Sequence, residues 1–310
     1  DTATTEIYTF PTRRSSDLNA FRGFGFDTKV IDYRKMQQRI LEKFLLKSSK
    51  VIPRFYTNYL DYWIKKINQH YVELIKKESP DLVFIYNDEL FDPEVLSSIK
   101  NKTKIVFFLG DNPINYSPGT VQNINLLFYA DYIICPDSFW IEQLSQIGIK
   151  NLHFDLIASD SDTFFKIENG DNEKSERIKS DLVFIGRSYQ SSWGYKRALF
   201  LSKFCNFDFR LFATGKGWEK WFDLFPELKK QLSQNKVSLS FEEINRIYNS
   251  SKINLVDSNA GIPKGVHIRI LDSLASGILP MMEYGSDIER VFPIDDLPII
   301  KNYDQATAVA

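Results

Sequence analysis

The sequence predicts an α/β protein made of two Rossmann-like lobes whose parallel sheets face a central cleft. Short apolar runs alternate with helical segments from residue 19 onward. These runs are almost continuously apolar, which is typical of parallel strands that are covered on both faces. A polar and charged segment, 159–180, separates two such series, so we assign it to a linker between the lobes.

Residues 1–18 are expected to lie outside the fold. Their sequence, DTATTEIYTFPTRRSSDL, shows neither a helical nor a strand period and lacks the apolar core of a signal peptide. The parts FPTRRSSDL and TTEIYT resemble the translation of a common sequencing adapter, and the alternative is a native tail without fixed structure. On the adapter hypothesis the natural N-terminus is missing, and we expect the N-terminal lobe to be incomplete.

The N-terminal lobe is assigned to residues 19–158. Its predicted strands are short runs rich in β-branched and aromatic residues, at 28–32, 81–86, 104–110, 131–137 and 151–154. Its predicted helical stretches lie between these strands, at 35–78, 93–100 and 138–146. We expect an interruption of the first helical stretch near Pro53, because proline disfavours a helical conformation in the residue before it.

The C-terminal lobe, assigned to residues 181–310, repeats the alternation. Its predicted strands cover residues 180–186, 208–215, 236–239, 252–258, 277–282 and 297–300. One helix is predicted for about 193–205, and another begins after Ser240, where Glu243 completes a capping box. Open parallel sheets bind ligands at the carboxyl ends of their strands, so the cleft between the lobes is the expected binding site.

The composition excludes several classes of protein. The chain has 310 residues and a formal net charge of −1, so it is long enough for two domains and has no overall charge that attracts nucleic acid or anionic lipid. No apolar run reaches the roughly 18 residues of an integral membrane segment. The cysteines, Cys135 and Cys205, lie in apolar runs, which argues against a disulfide framework and favours a cytoplasmic protein. The histidines, His70, His153 and His267, form no metal-binding cluster in the sequence.

The most informative segment is the loop at 261–265 and the helix that follows it. A strand ends at Asp257, and the loop then carries Lys264 and Gly265. The free backbone amides and the partial positive charge of a helix N-terminus suit a phosphate or diphosphate. Lys264 would add a full charge, and Gly265 would let the ligand approach the backbone. The segment therefore predicts a diphosphate-binding site.

The helix after this loop has a polar stripe at i, i+3/i+4 and i+7, formed by Arg269, Asp272 or Ser273, and Ser276. The apolar residues that we expect to bury the helix lie on its other face, at Ile270, Leu271 and Leu274. The stripe is interpreted as a ligand-binding face. The alternative, which spacing alone favours, is a solvated helix face with an exposed pair of Arg269 and Asp272.

Two further glycine-containing segments follow predicted strands. In VFIGRSYQSSWGYKR, Gly186 ends a strand, and Arg187 and Arg197 could neutralise phosphates near the turn. In LFATGKGW, the glycines at 215 and 217 would give room for a flat base, and Trp218 would form an apolar wall beside it. The alternative for the second segment is a plain turn followed by a core tryptophan.

In the N-terminal lobe, FFLGDNP places Asp111 at the carboxyl end of a buried strand. A carboxylate in that position could act as a base or orient an acceptor hydroxyl. The alternative is a turn aspartate that hydrogen-bonds its own backbone before Pro113. We retain Asp111 as a candidate for acceptor contact.

Taken in order, these segments resemble GT-B glycosyltransferases of the spore-maturation, CgeB-like family, which have a C-terminal domain of the glycosyl transferases group 1 type. The segments that carry the resemblance are SPDLVFIY, FDPEVLSSIK, FFLGDNP, DLVFIGRSYQSSWGYKR, LFATGKGW, FEEINRIYNSSKINLV and GVHIRILDSLASGILPMM. Two positions depart from the family pattern, because Asp272 stands where Glu is usual and His267 where Asn is common. Both departures bear on the identity of the donor.

The resemblance implies a metal-independent glycosyltransferase that needs no cofactor beyond a nucleoside-diphosphate sugar as donor. The acceptor would be a glycan, a lipid-linked molecule or a protein. The residues expected to act in catalysis are Asp111, Arg187, Lys264 and Arg269. The residues expected to bind the donor are Gly186, Ser188, Arg197, Gly215, Gly217, Trp218, Gly265, His267, Asp272 and Gly277.

Two other functions are compatible with the same sequence. One is a catalytically inactive GT-B relative that binds a sugar or a nucleotide, which the change to Asp272 motivates. The other is a two-lobed binding protein of the periplasmic type. Nucleotide binding without transfer would favour the first, and a nucleotide bound against Lys264 would exclude the second.

Overall fold

The computed structural model describes residues 5–9, 20–31, 53–86, 91–110, 112–114, 122–168, 179–215, 217–236, 238–259 and 261–309. The chain divides into two compact units, residues 1–155 and residues 156–310. We call them unit 1 and unit 2. Of the predicted linker at 159–180, residues 169–178 lie outside the described residues.

Unit 1 contains a parallel sheet of six strands among its described residues, in the order β2-β1-β3-β4-β5-β6. Its strands are β1 (Thr5–Thr9), β2 (Asp27–Ile31), β3 (Leu82–Tyr86), β4 (Lys104–Phe108), β5 (Tyr132–Cys135) and β6 (Leu152–Phe154). Its helices are α1 (Pro53–Glu78), α2 (Pro93–Ile99), α3 (Gln122–Leu127) and α4 (Ser138–Gln146). The predicted strands of this lobe are confirmed as β2 to β6.

The expectation that residues 1–18 lie outside the fold is wrong for Thr5–Thr9. This strand pairs in parallel with Asp27–Ile31 on one side and with Leu82–Tyr86 on the other. The five residues TEIYT are mostly β-branched or aromatic, which favours a strand even where the run is too short to show a period. The adapter origin of the segment stays a prediction.

Proline and aspartate define helix starts in unit 1. Pro53 is the first residue of α1. Residues 35–52 of the predicted helical stretch lie outside the described residues, so the expected interruption before Pro53 stays a prediction. Asp92 caps α2 by accepting the backbone N–H of Glu94 at 3.0 Å. Asp137 likewise caps α4 by accepting the N–H of Phe139 at 2.8 Å. These caps satisfy backbone donors that have no partner within the helix.

In its described part, unit 2 also contains a six-stranded parallel sheet, in the order β12-β11-β10-β7-β8-β9. Its strands are β7 (Ser180–Arg187), β8 (Phe209–Thr214), β9 (Leu232–Lys236), β10 (Ser251–Val256), β11 (Leu279–Glu283) and β12 (Ile299–Ile300). Its helices are α5 (Ser192–Ser202), α6 (Glu219–Leu224), α7 (Pro226–Lys230), α8 (Phe241–Asn249), α9 (Ile268–Ala275) and α10 (Ala306–Val309). Short 3₁₀ helices cover Ser286–Arg290, Ile294–Asp296 and Tyr303–Gln305.

The strand predicted at 236–239 is wrong in position, because the strand is Leu232–Lys236 and residues 238–240 lead into α8. Among the strands that the structure describes, this one is at the edge of the sheet and pairs with β8 alone. Edge strands do not need the continuous apolar run of a central strand, so the polar sequence LSQNK gave no strand signal. The capping box of Ser240 and Glu243 at the start of α8 is confirmed.

The core of unit 2 lies on both faces of its sheet. Along β7, Leu182 and Phe184 belong to one buried cluster, and Val183 and Ile185 belong to another. Successive side chains of a strand point to opposite faces, so this division shows that β7 is covered on both sides. The prediction of parallel strands buried on both faces is confirmed for this lobe.

Candidate functional site

A cavity of about 390 Å³ opens in unit 2 at the carboxyl ends of β7 and β8. From the strand ends and the segment after β7, it is lined by Ile185, Gly186, Arg187, Tyr189 and Thr214. From the loop before α8 and from α8 itself, it is lined by Ser238, Leu239, Phe241 and Ile244. Arg197 of α5 and Arg269 of α9 complete the lining. The carboxyl ends of parallel strands are where this class of sheet binds ligands.

Arg269 reaches the cavity from the first turn of α9. Its Nη1 donates to the carbonyl oxygen of Ile185 at 3.2 Å, and its Nη2 lies 3.3 Å from Oδ1 of Asp257. The guanidinium lies 5.2 Å from the ring centroid of Phe184. Only 15% of the side chain is exposed. The arginine is therefore held against the end of β7.

The alternative of a solvated face on α9 is wrong. Asp272, Ser273 and Ser276 are all buried, so the polar stripe is turned inward and not toward water. On the face expected to be apolar, Ile270 is buried but Leu274 is 38% exposed. The side chains of these three residues form hydrogen bonds inside unit 2, so they can be buried without losing the partners that water would provide.

Arg197 is the most deeply buried arginine of the cavity wall. It is 3% exposed, and its Nε donates to Oδ2 of Asp257 at 2.6 Å. Its Nη1 donates to the carbonyl oxygen of Arg187. The guanidinium also lies 4.9 Å from the ring centroid of Tyr189. Arg197 thus connects α5 to the carboxyl ends of β7 and β10.

Asp257, the first residue after β10, holds both arginines. The residue is 4% exposed, and its carboxylate accepts Arg197 on Oδ2 and Arg269 on Oδ1. Two guanidinium groups and one carboxylate leave one formal positive charge in the wall of the cavity. Arg187, an exposed residue in the lining, adds another. The site is therefore cationic, which suits a ligand with several negative charges.

From the sequence, Asp257 was predicted only as a residue at the end of a strand. Its partners are 60 and 12 residues away in the chain, so no local spacing connects the three residues. A polar residue at the carboxyl end of a buried parallel strand was the available signal.

His267 positions Arg269 and does not line the cavity. It is the N-cap of α9, and its Nδ1 accepts the backbone N–H of Arg269 at 3.1 Å. Burial lowers the pKa of His267 well below its ordinary value of 6.5, and the charges of Arg269 and Arg197 lower this pKa further. Nδ1 must be unprotonated to accept this bond, so the neutral imidazole is the form that caps the helix.

Gly186 leaves room for the arginine beside it. A Cβ at this position would lie 3.0 Å from the ring of Phe184 and 3.3 Å from Nη1 of Arg269. Gly215 has a φ of +72°, and a Cβ there would lie 3.1 Å from Cγ of Arg187. Both glycines therefore let arginine side chains pack against the strand ends.

Trp218 does not form a wall of the cavity. It is 1% exposed, belongs to the core, and packs against Phe184 with ring centroids 6.2 Å apart. Its Nε1 donates to the carbonyl oxygen of Gly186 at 3.2 Å. Gly217, which directly precedes it, has a φ of +105°. These contacts agree with the alternative of a turn followed by a core tryptophan.

Several predicted donor-binding residues lie outside the cavity lining and have other contacts. Asp272 accepts the hydroxyl of Ser159 at 2.8 Å, and Ser188 donates to the carbonyl of Tyr189 at 3.4 Å. Gly277 has a φ of +76° and ends α9, a role that favours glycine. Their role in donor binding stays a prediction.

The predicted phosphate loop also lies outside the cavity lining. The carbonyl oxygen of Lys264 accepts the N–H of Asp287 at 3.0 Å. Gly285 packs so closely against Lys264 and Gly265 that a Cβ on it would lie 2.7 Å from the carbonyl oxygen of Lys264. Diphosphate binding by Lys264 and Gly265 stays a prediction, and the candidate base Asp111 lies outside the described residues.

Two exposed aromatic residues in the lining were not identified from the sequence. Phe241, the first residue of α8, is 58% exposed, and Tyr189 is 37% exposed. The ring of Phe241 makes an edge contact with Phe164 at a centroid distance of 6.0 Å. Exposed rings in a cavity offer flat apolar surfaces to a ligand.

Neither a metal site nor a membrane-crossing helix is found in the part of the chain that the structure describes. In these residues, no group of three or more His, Cys, Asp or Glu side chains could hold a metal ion. None of the helices in this part is long and apolar enough to cross a membrane. Metal independence stays a prediction.

A family model described as glycosyl transferase-like matches residues 196–306. The matched part contains Arg197, Asp257 and Arg269. No curated protein matches the chain.

Solved structures resemble the chain over nearly its whole length. Anabaena HepE in complex with UDP and glucose is 12% identical, with a TM-score of 0.60 over 99% of this chain and 89% of its own. A structure described as trehalose-6-phosphate from E. coli bound with UDP-2-fluoro glucose is 9% identical, with a TM-score of 0.62 over 99% of this chain and 90% of its own. The lipopolysaccharide outer core galactosyltransferase WaaB is 12% identical, with a TM-score of 0.54 over 98% of this chain and 94% of its own. The chain therefore has the GT-B fold, with two Rossmann-like lobes and parallel sheets.

Proposed function

We propose that this protein is a glycosyltransferase that moves a sugar from a nucleoside-diphosphate sugar to an acceptor. The observation that carries the proposal is the pair of arginines, Arg197 and Arg269, bound to one buried carboxylate in the wall of a cavity at the strand ends. Such a wall would hold the diphosphate of the donor. The match of residues 196–306 to a glycosyl transferase-like family supports the same reaction.

The charge of the wall fits the chemistry of the leaving group. When the sugar leaves, negative charge develops on the diphosphate, and preorganised positive groups stabilise it without a change in their own positions. Arg269 is already fixed by Ile185 and Asp257, and Arg197 by Asp257 and the carbonyl of Arg187. In this proposal the arginines do the work that a metal ion does in other transferases.

The aromatic side of the cavity fits a nucleotide base. Phe241 and Tyr189 present exposed rings, and the volume of about 390 Å³ lies in the range of small-molecule sites. Similar folds have been solved with UDP and glucose and with UDP-2-fluoro glucose, which supports a UDP-sugar as the first donor to test.

The finer features of the proposal concern the family, the acceptor and the cell compartment. We infer the CgeB-like branch from the segments quoted above, and a glycan, a lipid-linked molecule or a protein as acceptor. Asp111 would contact the acceptor. Both cysteines are free, and burial raises the pKa of each thiol to about 12, which is consistent with an unreactive role in a cytoplasmic protein.

A calorimetric titration tests the binding part of this proposal. UDP, GDP and uridine are titrated into the wild-type chain, and we expect at least one diphosphate to bind and to bind more tightly than uridine. Release of sugar from the matching donor, with and without EDTA, then tests transferase chemistry and its independence from metal. If no nucleoside diphosphate binds, the proposal is wrong; binding without sugar release or transfer supports the inactive GT-B relative instead.

A further inference from the structure

A second polar cluster lies beside the arginine pair in unit 2. Its centre is Glu283, the last residue of β11, which is 9% exposed. Oε2 of Glu283 accepts the backbone N–H of Ser258 at 2.6 Å, the hydroxyl of Ser258 at 2.7 Å and Nζ of Lys196 at 2.8 Å. Oε1 accepts the hydroxyl of Tyr303. We call these four residues the Glu283 cluster.

The Glu283 cluster is joined to the arginine site through the backbone. Lys196 precedes Arg197 on α5, and Ser258 follows Asp257 after β10. Lys196 and Ser258 also contact each other directly, because Nζ of Lys196 donates to the hydroxyl oxygen of Ser258 at 2.6 Å. The two elements are therefore linked twice, by the contact of Arg197 with Asp257 at 2.6 Å and by the contacts among Lys196, Ser258 and Glu283.

The register of the sheet explains why Glu283 is in reach. Val256, the last residue of β10, is paired with Met282 of β11. Asp257 is therefore the first residue beyond the ladder, where strand pairing no longer fixes the backbone. The next residue, Ser258, is held by Glu283 through both its N–H and its hydroxyl. Asp257 is thus fixed from both sides.

Stability alone is a weak explanation for this arrangement. Taking the carboxylate of Glu283 out of water costs desolvation free energy, and its cationic partner Lys196 has a side chain that is 38% exposed. Ion pairs of this kind contribute little net stability. Their effect on the position of the neighbouring residues is larger than their effect on stability. Three donors converge on Oε2 of Glu283, and this restricts the positions of Ser258 and Lys196.

We propose that Glu283 is a positioning residue of the anion site: by holding Ser258 and Lys196, it fixes Asp257 and thereby both guanidinium groups. This inference rests on the proposed function, in which those guanidinium groups bind the diphosphate. Glu283 itself does not line the cavity and would not touch the ligand.

The test compares UDP with uridine in the wild-type chain and in Glu283→Gln. The glutamine has the same shape but replaces one acceptor with an NH₂ donor, which cannot satisfy all the donors in the cluster. We expect UDP affinity to fall about tenfold, because a misplaced guanidinium weakens charge-assisted hydrogen bonds to phosphate. Uridine affinity should change less than about twofold, since the base side of the cavity has no contact with Glu283.

Two substitutions of Ser258 perturb the Glu283 cluster less than Glu283→Gln does. Ser258→Ala removes the hydroxyl, which donates to Glu283 and accepts Nζ of Lys196, but it keeps the backbone N–H to Glu283 and the contact of Lys196 with Glu283. UDP affinity should therefore fall less than in Glu283→Gln. Ser258→Thr keeps the hydroxyl and should restore wild-type affinity. This pair of variants also tests the inference if Glu283→Gln does not fold.

A core variant separates positioning from a general loss of stability. Phe204→Leu truncates a fully buried residue of unit 2 that does not line the cavity, so it should lower the unfolding temperature without changing the ratio of UDP to uridine affinity. Equal losses of affinity for UDP and for uridine in Glu283→Gln would overturn this inference but not the proposed function. Unchanged UDP affinity in both Glu283→Gln and Ser258→Ala would have the same consequence. Failure of the wild type to bind any nucleoside diphosphate overturns the proposed function, and this inference with it.

Discussion

Arg197 and Arg269 bind opposite oxygens of one carboxylate, that of Asp257, although the arginines lie on different helices and are 72 residues apart. Arg197 comes from α5 and Arg269 from α9, and Asp257 directly follows β10. The carboxylate of Asp257 balances one of the two guanidinium charges, and one formal positive charge is left in the wall of the cavity.

Loss of the shared carboxylate should destabilise the protein. In Asp257→Asn two buried guanidinium groups lose their counter-charge, and we expect the free energy of unfolding to fall by about 3 kcal/mol, as for other broken buried ion pairs. Urea denaturation followed by circular dichroism measures the change.

The matched control is Asp181→Asn. Asp181 pairs with Lys252 in the same sheet at 2.6 Å, but both side chains are more than half exposed. Exposed pairs are screened by water and salt, so this variant should change stability far less. Equal effects of the two substitutions would show that the buried position of Asp257 has no special energetic role.

Removal of the exposed ring of Phe241 should weaken binding of the base. In Phe241→Ala, we expect the affinities for UDP and for uridine to fall together by about tenfold, since stacking of a base on an aromatic ring is worth about 1–3 kcal/mol. Phe165→Ala is the control, because Phe165 is also exposed, at 48%, and does not line the cavity. Loss of UDP affinity without loss of uridine affinity would contradict base stacking at this position.

The stability of the protein should depend on the protonation of His267. Its pKa in the folded state is lowered well below 6.5 by burial and by the charges of Arg269 and Arg197. As the pH falls, His267 in the unfolded chain therefore binds a proton at a higher pH than His267 in the folded protein. The contribution of His267 is fully present above pH 6.5 and is lost as the pH falls below 6.5, by up to about 1.4 kcal/mol per pH unit.

Urea denaturation at pH 7.5, 6.5 and 5.5 measures this dependence. His267→Asn is the matched variant, because asparagine caps helices well and does not titrate in this range. The other histidines, His70 and His153, remain in both proteins and cancel in the comparison. A variant with the same pH dependence as the wild type would exclude His267 as its source.

The sequence was most informative where strands are central. Runs such as DLVFIG predict β7 because both faces of a central parallel strand are buried. The edge strand Leu232–Lys236 and the short strand Thr5–Thr9 have no such run, so their positions depend on neighbours that a local pattern does not contain.

The same distinction applies to the site. Gly186, Arg187, Arg197 and Arg269 were predicted from local motifs, and all four line the cavity. Asp257 was missed because its role arises from contacts across 60 residues. Trp218 was assigned to a wall because a tryptophan after glycines resembles a base-binding turn, but core packing decides its position.

The most direct test of the central claim is the affinity for UDP in Arg269→Ala, measured by calorimetry. The control is Arg246→Ala, because Arg246 pairs with Glu242 on the exposed face of α8 and does not line the cavity. We expect UDP affinity to fall about a hundredfold in Arg269→Ala, because truncation of a buried charged partner costs about 2–5 kcal/mol. The uridine affinity of Arg269→Ala and the UDP affinity of Arg246→Ala should stay nearly unchanged. Wild-type UDP affinity in Arg269→Ala would contradict the assignment of the arginine pair to diphosphate binding.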